Sequence, residues 1–210
     1  MQEEAAARVV SVNVGEVRAV EWRGRRITSG IWKSPVLGRV ALRGVNFTGD
    51  DQADRTVHGG RDKAVYAYSR EDYDYWRDAE GVSTSPGLFG ENLTTAGVEL
   101  SDVVAGERWA VGSTVLEVAQ PRLPCFKIGM RMDDPHFPRR FMAVGRMGAY
   151  FRIVQEGDIG ASDVVQVTHR PAHGVTLRDM VEALRDEEKA ASLRVVPHLP
   201  EFWQQVADSR

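Results

Sequence analysis

The residues of this chain best suited to chemistry gather around its single cysteine. Cys125 stands in Gln120-Pro-Arg-Leu-Pro-Cys-Phe-Lys127, framed by Pro121 and Pro124 and flanked by Arg122 and Lys127. Proline fixes its own φ and carries no N–H, so the two prolines are expected to end a strand over Thr114–Ala119 and stiffen the approach to the thiol. Pro124 suits the first turn of a short helix, which would bring the sulfur close to unsatisfied backbone N–H groups. Those groups and the two cations favour the thiolate, the form that ligates a metal or attacks an electrophile. The competing reading is a small buried hydrophobe, as many lone cysteines are.

A second cluster lies in Val57-His-Gly-Gly-Arg-Asp-Lys-Ala-Val-Tyr66. Its glycines allow a turn where backbone approaches a ligand closely. His58 titrates near neutral pH and could donate a proton, while Arg61 or Lys63 could hold a phosphate. The plainer alternative is a solvated turn with an Asp62–Lys63 pair. In Gly90-Glu-Asn-Leu-Thr94, Asn92 could hydrogen-bond a heterocycle or cap a turn. Lys33-Ser34, at a turn expected before Pro35, could hold phosphate or simply face solvent. The chain has four lysines, at 33, 63, 127 and 189, and three of them fall in these segments.

These groups need a scaffold, and 210 residues, 42% hydrophobic and 27% charged, are enough to bury a real core. The formal charge of −3 argues against a long nucleic-acid surface but allows a local basic pocket. One cysteine excludes an internal disulfide, a multi-cysteine zinc site and a cysteine-ligated iron–sulfur cluster within this chain. His169 and His173 have the helical spacing of metal ligands, but Pro171 between them argues against one helix face. Glycine-rich dinucleotide, Walker and nucleophile-elbow signatures are absent. No apolar run reaches a membrane span, and Met1–Arg8 does not read as a signal peptide, so a cytoplasmic location is expected.

Short, β-branched segments at Val9–Val20, Val36–Val45, Ala64–Tyr68, Glu107–Val111 and Thr114–Ala119, punctuated by Gly, Pro and Asp, predict a mostly β domain, a barrel or sandwich. Gly112-Ser113 predicts a hairpin turn. Ser69 can cap a helix reaching about Ala79, with Tyr73 and Trp76 on one face, and a further helix is expected over Pro138–Val144. Beyond His169 the pattern turns helical. Thr176 can cap a helix with Leu177, Met180, Val181 and Leu184 in phase, and a last helix from Pro200 is expected to bury Phe202 and Val206. The expected organisation is a flexible tail over 1–8, a β domain over 9–169 and a helical appendage over 170–210. About forty helical residues cannot form an independent core, so they should dock on the sheet or on a second copy, leaving a homodimer open.

Taken in order, Gly44–Asp54, His58–Tyr68, Phe89–Gly97 and Gln120–Lys127 resemble the MOSC family, the domain type found at the C-terminus of molybdenum-cofactor sulfurases and as free-standing bacterial proteins. The match is to the short bacterial branch that reduces N-hydroxylated bases such as 6-hydroxylaminopurine and carries a three-helix appendage. The resemblance implies a MOSC-type β-barrel with flanking helices and a molybdopterin-type molybdenum cofactor. It implies that Cys125 is the thiolate ligand of molybdenum, that Lys33-Ser34 holds the cofactor phosphate, and that Asn92 and Arg122 contact the cofactor. Lys63 and Lys127 are taken with them as cofactor-binding cations.

The activity this implies is a molybdenum-dependent reductase that converts R–NHOH to R–NH2, a detoxifying reaction on small N-hydroxylated substrates. His58, then Asp62, are the candidate acids, because imidazole has the closer pKa. With one cysteine and no dinucleotide fingerprint, the chain is expected to depend on a separate flavin or iron–sulfur reductase for electrons. Two other classes stand beside it: a sulfur carrier with a persulfide on Cys125, and a non-catalytic carrier of the molybdenum cofactor.

Overall fold

The computed structural model describes residues 6–53 and 59–209. Its largest element is a mixed eight-stranded sheet built from β1 (Arg8–Val14), β4 (Ser34–Pro35), β7 (Val65–Ser69), β8 (Leu93–Ala96), β9 (Arg108–Val111), β10 (Thr114–Pro121), β11 (Ala149–Gln155) and β13 (Val165–His169). The order is β13-β9-β10-β11-β7-β8-β1-β4, antiparallel except for the parallel pair β7–β8. A three-stranded sheet joins β5 (Arg39–Arg43), β6 (Asn46–Phe47) and β12 (Gly157–Gly160), and a separate hairpin pairs β2 (Arg18–Trp22) with β3 (Arg25–Ser29). Helices α1 (Arg70–Glu80), α2 (Phe126–Arg131) and α3 (Phe137–Val144) flank the sheet, and α4 (Leu177–Glu182), α5 (Glu187–Ser192) and α6 (Glu201–Asp208) follow it.

The expected closed barrel does not form among the described residues. The sheet curls until the start of β1 meets the residues before β13, but contact there is one isolated bridge, Arg8 to Val164, with a few backbone hydrogen bonds such as Val9 N–H to Asp163 C=O at 2.9 Å. The other half of that edge of β1 is taken by the two-residue β4, at Asn13–Pro35 and Val14–Ser34. An edge divided in this way supports no continuous ladder. Strand β1 starts at Arg8, the last residue of the expected tail, and the Ala7 carbonyl accepts from Val165 N–H.

Strand β7 shows why the core lies on both faces of the sheet. All five of its residues are buried, and successive side chains point opposite ways. Val65 and Ala67 join a cluster with Trp109, Phe151 and Leu116, whereas Tyr66 and Tyr68 join Tyr73, Trp76, Phe89 and Phe141 beneath α1 and α3. The aromatic cluster keeps its polar ends satisfied. Trp76 Nε1 donates to the Tyr68 hydroxyl at 2.8 Å, and the Tyr66 and Tyr68 hydroxyls donate to the Met147 and Arg146 carbonyls. Ser69 caps α1 through Asp72 N–H, and β9–β10 turn through Gly112-Ser113, as expected.

The helical tail docks on the sheet. Leu177, Met180, Leu193 and Trp203 lie in the same cluster as Trp109 and Phe151, and Trp203 Nε1 donates to Gln120 Oε1 at 3.0 Å. Thr176 and Asp179 form a capping box at α4. The expected buried face of α6 is displaced by one position: Trp203 and Ala207 are buried, while Phe202 is exposed. Trp203 offers more apolar surface and a donor that Gln120 satisfies, which sets the rotation of the helix. No helix among the described residues is long and apolar enough to cross a membrane.

Candidate functional site

Cys125 is reached by a route that differs in two details from the sequence expectation. The strand runs two residues past Ala119 and ends at Pro121, which pairs with Ala149 as the last residue of β10. The neighbouring strand β9 has stopped opposite Glu117, so β10 is an edge at that point, where a missing N–H is tolerated. Pro124 lies ahead of α2 rather than in its first turn, and Cys125 itself is the N-cap residue, with extended φ −119° and ψ 175°. The thiol is half-buried.

The sulfur sits where two concavities meet. The inner one is a cleft lined by Lys33, Lys63, Asn92, Arg122, Cys125 and Lys127 among others. Two glycines let its walls pack closely: a Cβ on Gly30 would lie 2.3 Å from the Asp51 carbonyl oxygen, and one on Gly90, at φ +82°, would lie 2.8 Å from Ile31. The outer groove shares Lys63, Cys125 and Tyr150 with the cleft and continues to Pro200 and Phe202 on the helical tail.

Six of the sequence candidates therefore converge on one cavity. Two others, Ser34 and Asp62, do not line it. Ser34 is exposed on β4 and does not line the cleft, because alternation along the extended chain turns it away from Lys33. Asp62 lines the outer groove only. Its carboxylate accepts from Arg152 Nε at 2.5 Å and its carbonyl from Gln120 Nε2, so it is tied to β11 and β10. His58 lies outside the described residues.

Asn92 and Lys33 face the cleft but are bound to protein partners. Asn92 Oδ1 accepts from Tyr66 N–H at 3.2 Å, and its Nδ2 donates to Asp50 Oδ2 at 2.9 Å and to the Asn13 carbonyl at 3.4 Å. The side chain thus extends the β7–β8 pairing by one link. Lys33 Nζ forms a buried ion pair with Asp50. Burial pushes the Lys33 ammonium below its ordinary range, while the Asp50 carboxylate works in the opposite direction. Asp50 escaped the sequence reading as a site residue, although it stands inside the family-like stretch Thr48-Gly-Asp-Asp-Gln-Ala. Acidic residues at a Gly-Asp turn look like ordinary turn formers, and nothing local reveals a lysine seventeen positions away.

Arg122 and Lys127 are different. Both are buried, and neither has a carboxylate partner among the described residues. Arg122 Nη1 is a buried nitrogen with no hydrogen-bond partner, and the guanidinium carbon lies 5.5 Å from the ring centres of both Tyr66 and Phe141. Burial works against the Arg122 charge, but the nearby Tyr66 and Tyr150 hydroxyls and the Cys125 sulfur outweigh it and leave the group raised. Burial also holds the Tyr150 hydroxyl above its ordinary range, with Arg122 opposing. Tyr66 and Tyr150 were missed because aromatic residues on a strand read as core.

A buried cation without a carboxylate partner is costly, so an anionic group in the cleft would be favoured there. The polar lining, these two cations and a thiol fit a phosphate-bearing cofactor with a soft metal. Among the described residues no group of three or more His, Cys, Asp or Glu is placed to hold a metal. Of the residues lining the cleft, Cys125 is the one that could offer a soft thiolate donor to a metal.

The MOSC domain model matches residues 54–166, more than half of the chain. The chain belongs to the MOSC domain family. Among curated relatives, "Uncharacterized protein YflK" of Bacillus subtilis is 35% identical over 170 residues, covering 81% of this chain and 77% of that one. A protein named "Reductase" from Gibberella moniliformis is 34% identical over 152 residues, 70% of this chain but 27% of its own length. The solved structure of YiiM from Geobacillus stearothermophilus superposes with a TM-score of 0.79 at 27% identity, covering 97% of this chain and 98% of that one. The neighbour covers the helical tail as well as the sheet, so the docked arrangement of α4–α6 belongs to the shared fold.

Proposed function

We propose that this MOSC protein binds a molybdopterin-type molybdenum cofactor in the inner cleft and reduces N-hydroxylated compounds to amines. The observation that carries the reading is the pair of buried cations, Arg122 and Lys127, bracketing the Cys125 thiol without a carboxylate partner among the described residues. A longer relative named as a reductase supports the oxidoreductase class. The cofactor, when bound, supplies a two-electron centre able to accept oxygen from an N–O bond. The overall reaction takes R–NHOH, two electrons and two protons to R–NH2 and water.

The chain's own residues divide the remaining work. Arg122 and Lys127, with Lys63, bind the anionic part of the cofactor, and Cys125 presents its sulfur to the metal. Lys33, held by Asp50, and Asn92, held by Tyr66 and Asp50, fix the wall of the cleft. The outer groove gives the substrate a separate approach to the sulfur's far side. His58 is the proposed acid from its place in the sequence, and the bond from Arg152 makes Asp62 the weaker candidate.

The test is Cys125→Ala in protein made in a cofactor-competent host. Metal analysis and fluorescence of the oxidised pterin should show molybdenum and pterin in the parent. The variant should lose molybdenum and hydroxylaminopurine reduction while keeping its melting temperature within a few degrees, since the lost side chain is small and half-buried. Retained turnover would overturn the assignment. Stoichiometric persulfide without molybdenum would favour a sulfur carrier, and bound cofactor without turnover on any N-hydroxy compound would favour a non-catalytic carrier.

A further inference from the structure

The β2–β3 hairpin stands apart from the main sheet and is unlike the rest of the molecule in charge. Residues 18–29 hold Arg18, Arg23, Arg25 and Arg26 against a single acid, Glu21, in a chain whose net charge is −3. All four arginines are exposed. Among the described residues none of them is in an ion pair; Glu21 lies opposite Arg26 in the ladder without pairing to it. Arg18 packs over Trp32 at 4.1 Å and Arg23 over Trp22 at 5.7 Å, so the charges are splayed on aromatic surface rather than neutralised. Arg131 on α2 lies near enough that the like charge of Arg18 adds to burial in lowering its guanidinium.

This face adjoins the site. Trp22, the last residue before the hairpin turn, stacks on Phe126 with ring centres 6.0 Å apart and planes at 21°. Phe126 is exposed and directly follows Cys125. At the base of the hairpin, Ser29 and Gly30 line the inner cleft. The turn itself is strained: Arg23 adopts φ +52° beside Gly24 at φ +71°, where Asn-Gly would be the ordinary choice. Arginine at that position accepts a left-handed backbone that a Cβ disfavours and puts an exposed charge at the tip.

We infer that the arginine hairpin is the docking surface for an acidic electron-transfer protein, brought through the Trp22–Phe126 stack to the edge of the Cys125 site. The inference rests on the reductase reading, since only a reductase needs an electron donor. A one-electron carrier would dock twice per turnover, delivering the two electrons that, with two solvent protons, release the N-hydroxyl oxygen as water. Charge complementarity on an unpaired basic face selects an acidic partner and makes encounter salt-dependent.

The probe is a reduced plant-type [2Fe–2S] ferredoxin, a small acidic carrier, titrated against the cofactor-loaded protein with Trp fluorescence as readout. Wild type should bind at low ionic strength and weaken steeply with added salt. The variant R23E/R25E/R26E should bind at least about tenfold more weakly, whereas reversing two exposed arginines far from the hairpin in sequence, R139E/R185E, should change binding by no more than about twofold. Circular dichroism melts check that each variant is folded. In parallel, ferredoxin-driven reduction of a hydroxylaminopurine should fall with the hairpin variant, while reduction driven by reduced methyl viologen, which needs no docking surface, should not. Equal ferredoxin binding by wild type and the hairpin variant, or no binding by wild type, overturns the docking inference. Absence of viologen-driven turnover in wild type sinks the reductase reading instead and leaves the binding comparison to decide the surface.

Discussion

Asp50 joins two residues that the sequence suggests for cofactor contact. It holds the Lys33 ammonium and accepts from Asn92 Nδ2, and its Oδ1 also takes Gly15 N–H at 2.9 Å. The ion pair is almost wholly buried, with side-chain exposure of 8% for Lys33 and 2% for Asp50. Removing one member of such a pair strands the other, so Asp50→Asn should cost about 3–5 kcal/mol in urea denaturation at neutral pH. The cost should carry a pH signature. Folded Lys33 already gives up its proton below its ordinary range, and without Asp50 it should do so sooner. The unfolded chain keeps that proton up to about pH 10.4, so between the two values the unfolded state binds more protons and stability rises with pH. Asp50→Asn should therefore recover part of its deficit as pH climbs toward 10. A deficit that stays constant from pH 7 to 10 would mean that the loss comes from the neutral hydrogen bonds alone.

At the scale of elements, α6 is tied to the strand that carries Cys125. Trp203 is fully buried and donates to Gln120 Oε1, while Gln120 Nε2 donates to the Asp62 carbonyl at 3.2 Å. Gln120 precedes Pro121 and Arg122, so the helix braces the loop holding the thiol. Trp203→Phe keeps most of the apolar packing but leaves a buried amide oxygen unsatisfied; it should cost about 1–3 kcal/mol, and Trp203→Ala about 3–5 kcal/mol, read as shifts in thermal midpoint. Much at this scale was legible in the sequence: the Ser69 and Thr176 caps, the Gly112-Ser113 hairpin and the α3 helix all follow from local rules. The errors share a cause. The rotation of α6 depended on Gln120, eighty-three positions away, and Pro121 could stay in β10 only because β9 stops early. Whether the sheet closed as a barrel depended on how β4 and Val164 divide the edge of β1. None of these is encoded in a window of ten residues.

For the whole molecule, the sheet gathers segments far apart in sequence into one cleft, from Lys33 to Tyr150, while the sole cysteine leaves the chain without a cysteine-ligated iron–sulfur relay of its own. The convergence was partly legible because the lysines are few and three of four lie in the motif segments; the protein partners of Lys33 and Asn92 were not, because tertiary hydrogen bonds leave no periodic trace. The same layout bears on how the proposed reaction is driven. A nicotinamide dinucleotide is usually held by a glycine-rich turn opening a helix after a strand, and this sequence has no such fingerprint. If the cleft carries out the proposed reduction, we propose that a second protein brings the two electrons of each turnover to it. The cofactor-loaded protein mixed with NAD(P)H and a hydroxylaminopurine alone should show no reduction above the rate without enzyme, whereas adding an NAD(P)H-dependent flavin reductase and an acidic carrier should restore it. Product formation by liquid chromatography checks both arms. Turnover with NAD(P)H alone would place an electron-entry site within this chain and overturn the division of labour between the cleft and an external donor.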